Sequence, residues 1–147
     1  MGELSPASRM PGMQKLPLWE QGTPAVLCVT GPHAIPVSTY VRSADDRILV
    51  ALGRRRATLA RLRKEPRVAF CVLAAGVAFT AHCRARVVRE SLDAAANNVA
   101  VELSVERVQD HLADRRTELL AGARWRWRDE QAAAAAPGIL AELTELS

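Results

Sequence analysis

Aromatic side chains are scarce in this chain: one Tyr, two Phe and three Trp among 147 residues. A core must therefore be filled mostly by Val, Leu, Ala and Ile. Cysteine is also sparse. Cys28, Cys71 and Cys83 are odd in number and form no Cys-x-x-Cys pair, which excludes a disulfide framework and a zinc finger. Each lies in an apolar, β-like stretch and reads as a small buried hydrophobe in a reducing compartment. No apolar run is long enough to cross a bilayer. Residues 1–15 contain no apolar signal core, and Pro6 stands where a myristoylation signal needs Ser or Thr. The expected organisation is a flexible segment at 1–15 followed by one domain at 16–147, cytoplasmic and without a membrane partner. No internal repeat is visible.

What is present is a hydrophobic fraction of 49%, enough for one packed core. The net charge of +4 is unevenly placed. Between Arg54 and Arg67 stand seven basic residues and one acid, Glu65. That local excess of six leaves the rest of the chain at minus two. The positive charge is a local feature, suited to a small anion more than to a polyanion.

Hydrophobic patterning predicts a mainly β chain. Strands are expected at 24–30, 35–42, 47–52, 67–73, 77–88 and 99–108, with turn chemistry at Gly31-Pro32 and Ala75-Gly76. Leu59 and Leu62 mark a short helix over 57–64 that Pro66 stops. Trp125 and Trp127, two apart, place a last strand over 122–128. Residues 130–136 are helix-prone, Pro137-Gly138 is expected to break that helix, and 139–146 can form a closing one. Closely spaced strands without alternating long helices predict an antiparallel six- to seven-stranded split barrel with a few short helices.

The chemically informative stretch is strand, Gly53, Arg54-Arg55-Arg56, short helix, proline, strand. Amides at a helix N-terminus carry partial positive charge and attract phosphate. Arginine forks beside them can hold it bidentately, and Thr58 offers a hydroxyl from the first turn. The same run also reads as a solvated loop and helix face. His33, His82 and His111 have no second metal ligand at a suitable spacing, so no metal is expected. No nucleophile–base constellation stands out.

The residues Pro32-His33-Ala34-Ile35-Pro36-Val37, then Ile48 to Gly53, then Leu62-Arg63-Lys64-Glu65-Pro66-Arg67-Val68-Ala69 resemble the pyridoxamine-phosphate-oxidase-like flavin-binding split-barrel family. The resemblance covers roughly residues 22–90. It implies a homodimer with a flavin nucleotide in each interface cleft. FMN is the implied cofactor and a deazaflavin the alternative. Pro36, Val37 and Ser38 would then run beside the flavin ring. Leu52, Gly53, Arg55, Arg56, Thr58 and Arg61 would hold the phosphate end. Arg56, Thr58 and Arg61 stand where the family often has Ser, Lys and Asn. The chain lacks the closing Arg-Leu-x-Pro of true pyridoxamine phosphate oxidases, so that substrate is not implied.

The tryptophan pair reads either as packing or, in the case of Trp127, as a cover over a partner's flavin. Three functions follow. The first is a flavin-dependent oxidoreductase acting on a small organic substrate. The second is a non-catalytic flavin or planar-anion carrier or sensor. The third, nucleic-acid binding, is disfavoured because the strands lack interleaved exposed aromatics.

Overall fold

The computed structural model describes residues 15–147, so the expected flexible segment lies almost wholly outside the described residues. Seven strands and two helices follow one another: β1 Ala25–Val29, β2 His33–Val37, β3 Tyr40–Ala44, β4 Arg47–Gly53, α1 Ala57–Lys64, β5 Arg67–Ala74, β6 Val77–Arg89, β7 Asn98–Asp110 and α2 Glu130–Glu145. All pairings are antiparallel, in the spatial order β2-β1-β5-β6-β7-β4-β3. The protein is mainly β, a seven-stranded curled antiparallel sheet with two helices. No described helix is long and apolar enough to cross a membrane.

The two edge strands of this sheet, β2 and β3, are consecutive in the chain. Only Ser38 and Thr39 separate them, so the sheet has to curl until its edges approach each other. The expected single strand over 35–42 is therefore two strands, split where the chain crosses from one sheet edge to the other. Pro36 fits this placement, because an edge strand can lack a ladder donor.

Strand alternation sorts the side chains. In β4, Ile48, Val50 and Leu52 face the barrel interior, while Leu49 and Ala51 face outward under α2. This is why β4 reads as continuously apolar. Four of the six aromatics meet inside: Tyr40 stands edge-on to Phe70 at 5.2 Å, and Trp19 contacts both Tyr40 and Phe79. The Tyr40 hydroxyl donates to the Thr23 carbonyl and accepts from Trp19 Nε1. This cluster ties edge strand β3 across the interior to β5 and β6.

Two further expectations differ from the structure. Residues 122–128 form no strand; they run as an extended strap without ladder partners. Helix α2 continues through Pro137 and Gly138. An interior proline costs about 3 kcal/mol. Burial of Ile139 and Leu143 against Leu49 and Leu92 returns roughly 1.5–3 kcal/mol each. The Asp129 cap, which accepts from the Gln131 and Ala132 amides, adds about 1 kcal/mol. Gly138 lets the helix approach the Ala94 methyl, since a Cβ there would stand 3.3 Å from it.

Glu142 latches α2 to the 92–95 loop. Its carboxylate accepts from the Ala94 and Asp93 amides, both at 2.9 Å, and from Arg89 Nη1 at 2.8 Å. The two amides first, and then Arg89, hold this carboxyl below the usual carboxylate range. A depressed carboxyl stabilises the fold above its ordinary pKa, and the contribution fades as pH falls through the lowered value. Glu142→Gln should therefore lower Tm at neutral pH. The difference from the parent should begin to shrink as pH falls below the ordinary Glu value of about 4.3 and vanish as it falls through the lowered value of the folded carboxyl. Thermal melts across that range check it; a difference independent of pH would remove the charge from the explanation.

Candidate functional site

The chain leaves β4 at Gly53 and enters α1 within four residues. The Arg56 amide donates back to the Gly53 carbonyl, and the Arg54 amide donates to the Asn97 carbonyl. Arg56 is the helix N-cap and makes no side-chain capping bond. The three arginines then divide by their partners. Arg54 Nη2 donates to the Glu90 carbonyl at 2.8 Å, and Arg63 pairs with the Glu90 carboxylate at 2.7 Å. That hydrogen bond is the main reason the Glu90 carboxyl titrates below its ordinary value. Among the described residues, Arg55 and Arg56 have no carboxylate partner.

Two clefts meet here. One, of about 580 Å³, is lined by Gly53, Arg54, Arg55, Arg56 and Asn97. The other, of about 290 Å³, lies along the break between β2 and β3. Ile35 to Thr39 form one wall, Ala51 to Gly53 another, and Arg56, Asn98 and Trp127 complete it. Gly53 and Arg56 belong to both clefts. Neither is lined by a carboxylate. The result is a narrow slot of mixed polar and apolar lining that opens into a cationic mouth.

The arrangement brings together Pro36, Val37, Ser38, Leu52, Gly53, Arg56 and Trp127 in one slot, with Arg55 in the adjoining mouth. Two of the sequence-derived candidates lie elsewhere. Thr58 is 1% exposed, and its hydroxyl is bonded to His33 Nε2 at 3.0 Å, where it fastens α1 to the β1–β2 hairpin. Arg61 reaches the Thr30 carbonyl and lines a separate hollow with Gly31. Both point away because α1 turns its buried face, with Leu59 and Leu62, onto the barrel. Sequence reasoning missed Asn97 and Asn98. Asn98 stands opposite Gly53 in the β4–β7 ladder, and the Asn97 carbonyl accepts from the Arg54 amide.

The strap carrying Trp127 is fixed at identifiable points. The Gly76 amide donates to the Leu119 carbonyl, and Trp125 Nε1 donates to the Gly22 carbonyl at 2.7 Å. Gly122 passes directly over the end of β5, where a Cβ would stand 2.7 Å from the Leu73 carbonyl oxygen. The two indoles pack edge to face at 5.0 Å. Trp127 reaches the slot of its own chain.

No family model matches the chain, and no curated protein matches it. Solved structures do. One is a candidate pyridoxamine 5′-phosphate oxidase from Lactobacillus delbrueckii, 16% identical over 65% of this chain and 98% of that one, with a TM-score of 0.51. A second candidate oxidase of that name, from Listeria innocua, is 12% identical over 62% of this chain and 90% of that one, at 0.50. The NADH:FAD oxidoreductase of Streptomyces globisporus C-1027 is 14% identical over 74% of this chain and 86% of that one, also at 0.50. The fold is the pyridoxamine-phosphate-oxidase-like split barrel. In this split barrel the slot follows the split itself: it opens where Ser38 and Thr39 interrupt the passage from β2 to β3.

Proposed function

We propose that this split barrel binds a flavin nucleotide, FMN with a deazaflavin as the rival, and uses it in an oxidoreductase reaction on a small organic substrate. The observation that carries the reading is the joining, at Gly53 and Arg56, of a slot walled by Pro36, Val37, Leu52 and Trp127 to a cationic mouth. A planar ring suits the walls formed by Pro36 to Thr39, Leu52 and Trp127. A phosphate suits Arg55 and Arg56, which have no described carboxylate partner. The lining residues include no general base, so they bind and orient, and the flavin would supply the redox chemistry. The test is the absorbance spectrum and mass of whatever co-purifies, followed by titration with FMN and with a deazaflavin. A colourless protein that takes up neither would defeat the reading. Bound flavin that no reductant or acceptor turns over would instead favour the carrier or sensor role.

The working form in this proposal is a homodimer. Trp125 and Trp127 are 42% and 40% exposed, and the slot is open along one side; a second copy would cover both. Light scattering at micromolar concentration should give twice the chain mass, and a monomer would count against it.

Trp127 should report ligand directly. Flavin added to the protein should quench tryptophan emission, Trp127→Phe should remove most of that quenching, and Trp19→Phe, in the core cluster, should not. Quenching that survives in a Trp125/Trp127 double variant would assign both rings to packing.

A further inference from the structure

On the sheet face opposite the barrel interior, Val26 of β1 and Leu73 of β5 are exposed. In the β1–β5 ladder Cys28 pairs with Ala69 and Val26 pairs with Cys71. The two cysteines are therefore diagonal neighbours on adjacent strands. They share the outer face, since Leu27, Phe70 and Val72 beside them fill the core. Both thiols are half-buried. Burial, and after it the proximity of Cys71, pushes the Cys28 thiol up. Cys83 is a different case. It faces the barrel interior, and its thiol is pushed up to about 12, mainly by burial.

The diagonal spacing decides what such a pair can do. Diagonal neighbours in an antiparallel ladder are about 7–8 Å apart, with somewhat shorter Cβ separations. A disulfide needs Cβ atoms about 3.8 Å apart, which this register does not provide. A metal ion between the thiolates spans more. Two opposed metal–sulfur bonds of about 2.3 Å each place the sulfurs about 4.6 Å apart. Among the described residues, no group of three or more His, Cys, Asp and Glu side chains is placed to hold a metal ion. The nearby His82 and Thr80 on β6 are engaged with Gln109 and His111 respectively. Zinc, which takes four ligands in structural sites, is therefore not served. A soft cation content with two thiolates is.

We propose that Cys28 and Cys71 form a two-thiolate site for Cu(I) on the open face of β1 and β5. Binding converts two thiols to thiolates and releases two protons to solvent; copper stays in the +1 state throughout. The site lies on a face separate from the flavin slot and does not depend on the flavin reading.

The test is an anaerobic titration of the reduced full chain with Cu(I) against a chromogenic Cu(I) chelator. One Cu(I) should bind per chain, more tightly as pH rises, with X-ray absorption showing two sulfur neighbours. Cys28→Ser and Cys71→Ser should each weaken binding at least tenfold, and Cys83→Ser should leave it unchanged. In the parent protein, Cu(I) should protect Cys28 and Cys71 together from iodoacetamide, as read by mass spectrometry; this arm needs no variant to fold. Full binding in the Cys28/Cys71 double variant, one copper per two chains, failure to protect both thiols, or no binding by the parent would each overturn the site.

Discussion

Replacing Arg55 and Arg56 by Ala should weaken a phosphate-bearing flavin by roughly 1.5–3 kcal/mol for each charged hydrogen bond lost. That is about ten- to a hundredfold per residue. Both side chains project from the loop between β4 and α1 and line the cationic mouth. Neither has a carboxylate partner among the described residues, so neither holds the fold through an ion pair. Surface changes of this kind usually stay within about 0.5 kcal/mol of the parent's stability, so Tm should scarcely move. The affinity of the parent should fall with added salt, because the mouth is open and its charges are screened. Isothermal titration of parent and double variant with FMN and with a deazaflavin decides the matter. Equal affinities would move the phosphate site elsewhere on the barrel.

Phe70→Ala should do the reverse, lowering stability by about 3–5 kcal/mol. Phe70 is fully buried on β5 and receives the edge of the Tyr40 ring. Truncation opens a cavity in the aromatic cluster at the centre of the core. It also loosens Tyr40, which links β3 to Thr23 and Trp19. In a chain near 150 residues, each kcal/mol moves Tm by about 2–4 °C, so a fall on the order of 10 °C is expected. Denaturant melts of parent and variant measure it. A loss below about 1 kcal/mol would mean that the core collapses around the gap. The two substitutions separate the slot from its scaffold: one should change affinity at constant stability, the other stability first.

The strands that were legible in the sequence are those whose apolar pattern has one cause. β5 alternates buried and less buried residues because one face meets the core. α1 was visible because Leu59 and Leu62 fall on one face and Pro66 follows. The misreadings arose where a local signal met a tertiary demand. The run from Ile35 to Arg42 looks like one strand, yet the sheet's edges have to be joined there. Pro137-Gly138 looks like a break, yet Ile139, Leu143 and Glu142 hold the helix together across it. Trp125 and Trp127 alternate as a strand would, but no neighbouring strand is available to pair with them.

The candidate site divides in the same way. Its arginines and Gly53 were visible because they are contiguous and chemically distinctive. Thr58 was visible too, but the burial of α1 turns its hydroxyl onto His33. Asn97 and Asn98 carry no distinguishing chemistry alone; they join the site because β7 pairs with β4 in a register that sets Asn98 opposite Gly53. The sequence by itself determined the fold class, the turns and the position of the positive charge, since strand periodicity, glycine and proline geometry and charge counting are local properties. Only the tertiary structure decided that Ser38 and Thr39 mark the split, that Trp127 reaches the slot of its own chain, and that Cys28 and Cys71 are neighbours. Each of those depends on which strands pair and in what register, and pairing energy comes from residues far apart in the chain.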